Sequence, residues 1–267
     1  MHDLSRHPVI IIPTYNERES LPRIVADIRS VLPDINIVVV DDNSPDRTGV
    51  LADRLAESDD RMSVVHRSKK AGLGAAYLHA FSRVIESGAR VIVQMDADGS
   101  HSPRDLKRLL SHSQDYDVVI GSRWITGGVV VNWSMRRKLL SKMGSFYSRI
   151  LLRIRVRDVT SGFKVWKAEA LRKMDFSSLN SRGYCFQIDL LREAIRSGAS
   201  VKEVPIRFAD RERGASKMTG WVILEALLRV TAWGLLDAVK CLFGWLRIDP
   251  RNDTRPACKR RPTKRAK

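Results

Sequence analysis

The chain has 267 residues, of which 43% are hydrophobic and 29% are charged, and its formal net charge is +17. A chain of this length and apolar content buries one large core, which excludes an intrinsically disordered protein. The positive charge favours an anionic ligand, an anionic membrane surface or a nucleic acid as partner. The three cysteines lie far apart without a C-x-x-C pair, so neither a disulfide framework nor a zinc site is expected, and a reducing cytoplasm is the default.

The first half of the chain alternates short apolar runs with helix-like stretches. Five runs rich in Val and Ile are predicted to be strands: Val9–Ile12, Ile35–Val40, Ser63–His66, Val91–Met95 and Asp117–Ile120. The predicted helices between them are Glu17–Leu32 with Asn16 as its cap, Pro45–Glu57, Gly72–Ser87 and Pro103–Ser111. Continuous apolar strands that alternate with helices indicate an α/β fold with a mostly parallel sheet. Ligands of such sheets bind at the carboxyl ends of the strands.

The pattern changes after Arg123. The next segments are predicted to be, in chain order, a loop or lid (Trp124–Trp133), a basic helix (Arg136–Leu152), a turn leading into a strand (Thr160–Phe163), a helix (Cys185–Ser197), an extended segment (Val201–Arg207) and a charged loop (Arg211–Lys217).

Residues Trp221–Arg247 are predicted to form one amphipathic helix, or two helices broken near Gly234 or Gly244. At 100° per residue, their five charged side chains fall within one third of the helical circumference. The pattern is equally typical of a helix in a membrane interface and of a helix packed on the sheet or in a dimer. The longest uncharged run, Val230–Leu236, is too short to span a bilayer. Residues 251–267 carry eight basic side chains and one acidic one, and we expect them to be disordered.

Two carboxylates, Asp96 and Asp98, follow the fourth apolar run. In extended chain, residues i and i+2 point the same way, so both side chains can face one cation, and hard oxygen ligands suit Mg²⁺ or Mn²⁺. Gly99 allows a sharp turn directly afterwards. The simpler alternative is a solvated turn, in which most Asp-x-Asp pairs are found. The position of this pair at the end of a buried strand favours a metal and diphosphate site instead.

Polar residues also end the first two strands. Asp41 and Asp42 can accept hydrogen bonds from a ribose or a base, or can cap the next helix. Tyr15 and Glu17 offer an aromatic ring and a carboxylate at the end of the first strand, and here a capped turn is the favoured alternative.

Basic residues supply a second candidate site. Arg123 ends the fifth strand, and Arg137 and Ser141 are neighbours one helical turn apart, so this face can hold a phosphate. The alternative is a solvated basic face. The loop containing Arg211 and Lys217 can close over a diphosphate, or can be an ordinary surface loop.

Several motifs follow one another in a fixed order between Val9 and Lys217. They are P-T-Y-N-E, V-D-D-N-S-P-D-R-T, D-A-D followed by H-S-P, G-S-R, D-V-T-S-G-F and R-x-x-G-x-S-K. With this set the chain resembles the dolichol- and polyprenol-phosphate mannose synthases, which are inverting glycosyltransferases of the GT-A fold. Many members read D-A-D-L-Q-H-P, and here Gly99-Ser100 replaces Leu-Gln. Because Ser100 is shorter than Gln, its contact near the metal is expected to be water-mediated or absent.

The resemblance implies a role for each matching position. The guanosine of GDP-mannose would be held by Pro13, Tyr15, Glu17, Val40 and Asp42. The metal, Mg²⁺ or Mn²⁺, and the diphosphate would be held by Asp96, Ala97 and Asp98. The acceptor phosphate would be held by Arg123, Arg137 and Ser141. Arg211 and Lys217 would close on the donor diphosphate and, with Asp96, Asp98 and Arg123, would complete the catalytic set.

The resemblance implies transfer of mannose from GDP-mannose to a polyprenyl phosphate with inversion. One rival is glucose transfer from UDP-glucose on the same scaffold. A second is a non-enzymatic anion or nucleic-acid binder, which the strand-end carboxylates disfavour because they repel phosphate unless a metal intervenes. Nucleic acid is therefore not expected as a partner.

The expected organisation is a GT-A domain (1–217), an amphipathic membrane-interface segment (218–249) and a disordered basic tail (250–267). No signal peptide is expected, because Val9–Ile12 is too short and is ended by Pro13. The expected location is the cytoplasmic face of the plasma membrane, with peripheral attachment to anionic lipid, no transmembrane span and room for a membrane-protein recruiter.

Overall fold

The structure is a computed structural model that describes residues 4, 7–179, 181, 183–210 and 220–246. Its strands are β1 (Val9–Thr14), β2 (Asn36–Asp41), β3 (Met62–His66), β4 (Val91–Gln94), β5 (Val118–Ser122), β6 (Val129–Val131), β7 (Lys164–Lys167), β8 (Val201–Pro205) and β9 (Arg207–Ala209). Its α-helices are α1 (Leu21–Val31), α2 (Thr48–Glu57), α3 (Leu73–Glu86), α4 (Pro103–His112), α5 (Met135–Leu151), α6 (Ala168–Arg172), α7 (Tyr184–Arg196) and α8 (Gly220–Leu246), and a 3-10 turn spans Phe176–Ser178.

Seven strands form one sheet in the order β3-β2-β1-β4-β7-β5-β8. All neighbours in it are parallel except β7, which runs antiparallel to β4 and β5. The side chains of β1 alternate between two cores: Val9 and Ile11 pack with α3 and α7, whereas Ile10 and Ile12 pack with α1 and α4. Helices on both faces explain why the strands are continuously apolar. The predicted GT-A-like α/β fold is confirmed.

All five predicted strands of the first half are present, but the first helix is shorter than predicted. It begins at Leu21, and Asn16 has a left-handed backbone (φ 60°), so the predicted cap at Asn16 is wrong. The next two backbone N–H groups form hydrogen bonds with the segment at the start of α2: Glu17 N donates to Thr48 Oγ1 (3.0 Å) and Arg18 N donates to Asp46. These tertiary hydrogen bonds hold the residues after β1 in a turn beside the start of α2.

The segment Trp124–Trp133 is not only a loop. Its residues Val129–Val131 form β6, which pairs in parallel with β9. Correspondingly, the predicted extended segment Val201–Arg207 divides at Ile206 into β8 of the main sheet and β9 of the small one. A three-residue strand leaves no readable periodicity, so this pairing depends on the tertiary contact.

The predicted amphipathic segment forms one helix, α8, without a break at Gly234. Gly234 is instead the point of close contact with α5, since a Cβ there would lie 3.1 Å from the Leu151 carbonyl oxygen. Within the described ranges, no helix is both long and apolar enough to cross a bilayer. The predicted domain boundary at residue 217 and the predicted tail 250–267 lie outside the described residues.

A pair of helical glycines tests the packing of α3 against α7. A Cβ on Gly74 would lie 2.7 Å from the buried ring of Phe186, whereas a Cβ on Gly144 in α5 meets nothing within 4 Å. We expect Gly74→Ala to lower the free energy of unfolding by about 1–3 kcal/mol through overpacking. Gly144→Ala should raise it by about 0.5–1 kcal/mol, because alanine is the better helix former. Urea denaturation measures both changes, and a neutral Gly74→Ala would contradict the described packing.

Candidate active site

Asp96 and Asp98 lie directly beyond β4, at the carboxyl edge of the sheet. The chain turns at Gly99 (φ 73°), and the backbone N–H of Ser100 donates to Asp98 Oδ1 at 3.0 Å. The Ser100 hydroxyl is buried and has no hydrogen-bond partner among the described residues. The turn thus collects carboxylate and hydroxyl oxygens at one point.

Tyr77 and His101 hold Asp96 from two directions. The Tyr77 hydroxyl donates to Asp96 Oδ1 at 3.4 Å, and Asp96 N donates to His101 Nδ1 at 3.3 Å. Burial, together with the charge of Asp96, raises the pKa of the Tyr77 phenol well above its usual value, so it remains a donor. Burial lowers the pKa of His101, which agrees with an unprotonated Nδ1 accepting a hydrogen bond.

Gly162 approaches the same carboxylate from the D-V-T-S-G-F segment. A Cβ at this position would lie 3.2 Å from Asp96 Oδ2, 3.6 Å from His101 Cε1 and 3.7 Å from Gln187 Nε2. The absence of a side chain at Gly162 therefore keeps the space beside Asp96 open.

The oxygen ligands at this turn fit a hard divalent cation. No group of three or more His, Cys, Asp or Glu side chains able to hold a metal is found in the described part of the chain. Mg²⁺ and Mn²⁺ sites that serve nucleotides use one or two carboxylates and take their remaining ligands from phosphate and water. Asp96, Asp98 and the unpartnered Ser100 hydroxyl suit such a site, and Mg²⁺ or Mn²⁺ remains a prediction.

The residues predicted to hold the nucleoside lie together at the ends of β1 and β2. Pro13 pairs in register with Val40, and Asp42 N donates to Thr14 O at 3.1 Å. The Asp42 carboxylate accepts from Arg67 and from Ala71 N. Asp42 is therefore held by the loop that follows β3.

Tyr15 and Glu17 line the same edge. The Lys70 ammonium lies 3.8 Å from the centroid of the Tyr15 ring, and Ser20 Oγ donates to Glu17 Oε2 at 2.7 Å. Asp41, by contrast, accepts from Thr14 Oγ1 and from Ser44 N, so it stabilises the turn. The structure thus separates the two neighbouring aspartates that the sequence left equivalent.

Arg123 forms a buried ion pair at the end of β5. Its Nε and Nη2 donate to the two oxygens of Asp158 at 2.8 and 2.7 Å, and its backbone N–H donates to Asp158 Oδ2. Asp158 has no exposed surface. This bidentate geometry fixes the guanidinium, and Nη2 also donates to Thr160 Oγ1.

Aromatic rings surround this guanidinium. Its Cζ lies 5.5 Å from the centroids of Trp124 and Trp133 and 5.1 Å from that of Phe208. Arg137 Cζ lies 3.9 Å from the Trp133 ring, and Arg137 donates to Asp210. We call Arg123, Trp124, Trp133, Arg137 and Phe208 the cation–aromatic cluster. Ser141 lies one turn beyond Arg137 on α5.

The cluster adjoins the carboxylate turn through Phe208. The ring of His101 stacks on Phe163 at 4.9 Å and contacts the Phe208 ring edge-on at 5.4 Å. The Asp96–Asp98 turn and the cation–aromatic cluster are therefore neighbours that meet where the His101 and Phe208 rings are in contact. Arg211 and Lys217, predicted to close over the donor, lie outside the described residues.

The family model described as "Glycosyl transferase family 2" matches residues 9–175. A polyprenol monophosphomannose synthase from Mycolicibacterium smegmatis is 52% identical over 233 residues, covering 86% of this chain and 88% of that protein. An undecaprenyl-phosphate mannosyltransferase from Micrococcus luteus is 47% identical, covering 84% of this chain and 93% of that protein. The chain belongs to glycosyl transferase family 2.

Solved structures support the fold. The glucosyl-3-phosphoglycerate synthase of Mycobacterium tuberculosis, crystallised with Mn²⁺, UDP and glucosyl-3-phosphoglycerate, superposes with a TM-score of 0.60 at 18% identity, covering 87% of this chain and 79% of that chain. The 267-residue chain is therefore a family 2 glycosyltransferase with the GT-A-like architecture that the motifs implied.

Several residues in and beneath the candidate site were not predicted from the sequence. Tyr77 and Gln187 lie within helices to which the sequence analysis assigned no functional residue. Asp158 and Gly162 belong to the D-V-T-S-G-F motif, but neither was given a role of its own. Lys164 opens a strand, and its ammonium is buried beside Gln187. The D-V-T-S-G-F motif was the one available signal, because it joins a carboxylate to a glycine before a buried strand.

Gly162→Ala tests the close approach to Asp96. The added methyl group would displace Asp96 Oδ2 by a few tenths of an ångström, and we expect kcat for glycosyl transfer to fall about tenfold, since small misplacements in an active site are costly. The variant should unfold near the wild-type temperature. Gly144→Ala, at a helical position where the added Cβ meets nothing within 4 Å, serves as the matched control. Wild-type kcat in Gly162→Ala would contradict the described contact.

Lys164 makes stability depend on pH. Burial lowers its pKa from 10.5 to about 7, although Asp158 and Asp96 act in the opposite direction. Between those values the unfolded chain carries the extra proton, so the free energy of unfolding should rise with pH, by up to about 1.4 kcal/mol per unit. Chemical denaturation of wild type and Lys164→Met between pH 7 and 9 isolates this contribution. Parallel profiles for the two proteins would contradict it.

Proposed function

We propose that this glycosyltransferase transfers mannose from GDP-mannose to a polyprenyl phosphate. The configuration at the anomeric carbon is inverted, and the product is a lipid-linked mannose donor. The observation that carries the proposal is the contact, through the His101 and Phe208 rings, between the Asp96–Asp98 turn and the cation–aromatic cluster. A donor diphosphate and an acceptor phosphate need two such sites side by side. The names of the two curated relatives support both the sugar and the acceptor.

On the donor side, the guanosine lies against Pro13, Tyr15, Glu17, Val40 and Asp42. A bound Mg²⁺ or Mn²⁺ would neutralise charge on the diphosphate as it leaves. Asp96 and Asp98 would hold that cation, and Ala97 would contact the diphosphate. Tyr77 and His101 keep the Asp96 carboxylate in place. Arg211 and Lys217, which lie outside the described residues, would close on the diphosphate.

On the acceptor side, Arg137 and Ser141 bind the phosphate, and Arg123 adds a positive charge fixed by Asp158. A phosphate oxygen attacks the anomeric carbon, and the bond between that carbon and the β-phosphate oxygen breaks, leaving its electron pair on GDP. The acceptor is already anionic near neutral pH, so no strong general base is needed. The protein contributes orientation and charge neutralisation.

The outward face of α5 suits a membrane-bound acceptor. Its exposed apolar side chains are Met135, Leu139, Leu140, Met143, Phe146 and Ile150. Arg136, Lys138 and Lys142 lie on the same helix and would face anionic head groups, each contributing about 1 kcal/mol near such a surface. A polyprenyl chain cannot leave the bilayer, so the enzyme must reach it there.

Helix α8 supports the same orientation. Its Asp237 accepts from Arg192 of α7, and Val230 is buried, so these residues face the domain. Its exposed apolar residues are Leu224, Leu227, Leu228, Leu235, Leu236 and Val239. We propose peripheral attachment to the cytoplasmic face of the plasma membrane through these two helices, with the basic tail and a membrane-protein recruiter as additional contacts.

A transfer assay with Asp98→Ala tests the donor site. With GDP-mannose, Mn²⁺ and detergent-dispersed polyprenyl phosphate, wild type should form a lipid-extractable mannose product, and Asp98→Ala should lose at least about 100-fold in rate, because removal of charge stabilisation in the transition state is costly. Asp60→Ala, an exposed carboxylate away from the site, serves as the matched control.

Parallel reactions with UDP-glucose, and with Mg²⁺ in place of Mn²⁺, determine the base, the sugar and the preferred metal. Product from UDP-glucose alone would overturn the choice of donor. Transfer by Asp98→Ala at the wild-type rate would overturn the metal and diphosphate assignment.

A further inference from the structure

A buried polar network lies beneath the Asp96–Asp98 turn and takes no part in the chemistry proposed above. Gln187 Oε1 accepts from Lys164 Nζ at 2.7 Å and from Gln94 Nε2 at 2.9 Å. Gln94 Oε1 in turn accepts from Trp166 Nε1 at 3.2 Å. Lys164 and Gln94 have no exposed surface, and Gln187 is 3% exposed.

This network fixes which way the Gln187 amide points. The Trp166 indole N–H can only donate, so the atom of Gln94 that faces it must be the oxygen, and Gln94 presents its NH₂ group to Gln187 Oε1. Lys164 Nζ donates to the same oxygen, so two donors hold it. The Gln187 NH₂ group must therefore face away from both.

That NH₂ group faces the space beside Asp96. A Cβ on Gly162 would lie 3.7 Å from Gln187 Nε2 and 3.2 Å from Asp96 Oδ2, so both atoms border the open side of Gly162. Gln187 Nε2 is buried and has no acceptor among the described residues. A buried donor without an acceptor costs free energy, and such groups mark functional positions.

We propose that Gln187 is a positioning residue for Asp96. Its amide donates through one water to Asp96 Oδ2 and holds the carboxylate in the orientation that binds the cation, while Lys164 and Gln94 set the direction of the amide. The inference rests on the proposed function, because it assumes that Asp96 binds a divalent cation with the donor diphosphate.

The cost of burying Lys164 supports a role beyond packing. An apolar side chain of similar volume fills a buried strand position without losing hydration. A lysine here supplies a donor to Gln187 Oε1, which an apolar side chain would not. Groups that orient metal ligands in this way typically change metal affinity 10–100-fold when they are removed.

Binding of Mn²⁺ in the presence of GDP tests the inference without an activity readout. Titration calorimetry should give a Kd for Mn²⁺ that is at least about tenfold weaker in Gln187→Leu than in wild type. Lys164→Met should also weaken binding. In the double variant, loss of Lys164 should add nothing to loss of Gln187, because Lys164 acts through the amide.

Gln94→Leu is the matched control. It removes one of the two donors to Gln187 Oε1 and leaves Lys164 as the other, so Mn²⁺ binding should weaken less than in Gln187→Leu. The double variant also protects the test against misfolding, since it leaves no unpaired ammonium group in the core. Thermal unfolding of every variant identifies those that are folded.

The outcomes separate the two levels of the argument. Wild type that binds GDP without any contribution from Mn²⁺ would overturn the proposed metal site and the inference with it. Wild type that requires Mn²⁺, together with folded Gln187→Leu or double variants of equal Mn²⁺ affinity, would overturn the positioning role alone. Additive losses in the double variant would overturn the claim that Lys164 acts through Gln187.

Discussion

The reversed strand β7 is the constraint on which the rest of the site depends. It lies between β4 and β5 and runs antiparallel to both, so its first residue, Lys164, is paired with Gln94 and Ile120 near the carboxyl ends of those strands. The segment before it therefore emerges at the ligand-binding edge of the sheet. A parallel strand in the same place would have put that segment at the opposite edge.

Three contacts of the candidate site follow from the antiparallel direction of β7. Asp158 reaches Arg123 at the end of β5, Gly162 reaches Asp96 beyond β4, and Lys164 reaches Gln187 beneath them. Each contact joins residues that are at least 20 positions apart in the sequence. Desolvation makes an unpaired charge at such depth costly, so the buried Arg123–Asp158 pair and the Lys164 network keep their partners in fixed geometry. Rigid support of this kind is what a site that works by charge placement requires.

The two outer helices show a second principle. Helix α8 directs Asp237 and Val230 towards the domain and leaves leucines exposed, while α5 carries an apolar stripe beside lysines and arginines. A helix that only covered a core would place its leucines inward. The exposed apolar surface and the flanking cations are suited to a lipid interface, and both helices lie in one layer because Gly234 allows close contact with Leu151.

The strands of the sheet, the fold class and the order of the motifs could be predicted from the sequence, because apolar periodicity and strand-end carboxylates are local signals. The sequence identified Asp96, Asp98 and Arg123 as candidates for the same reason. It could not distinguish Asp41, which stabilises a turn, from Asp42, which contacts Arg67 and Ala71. It also misplaced the start of α1, since hydrogen bonds donated by the Glu17 and Arg18 N–H groups to Thr48 and Asp46 outweigh local capping preferences. The positions of Tyr77, Gly162, Lys164 and Gln187 around Asp96 became evident in the folded chain alone, because their proximity depends on the direction of β7 and on helix packing, and no local pattern predicts either.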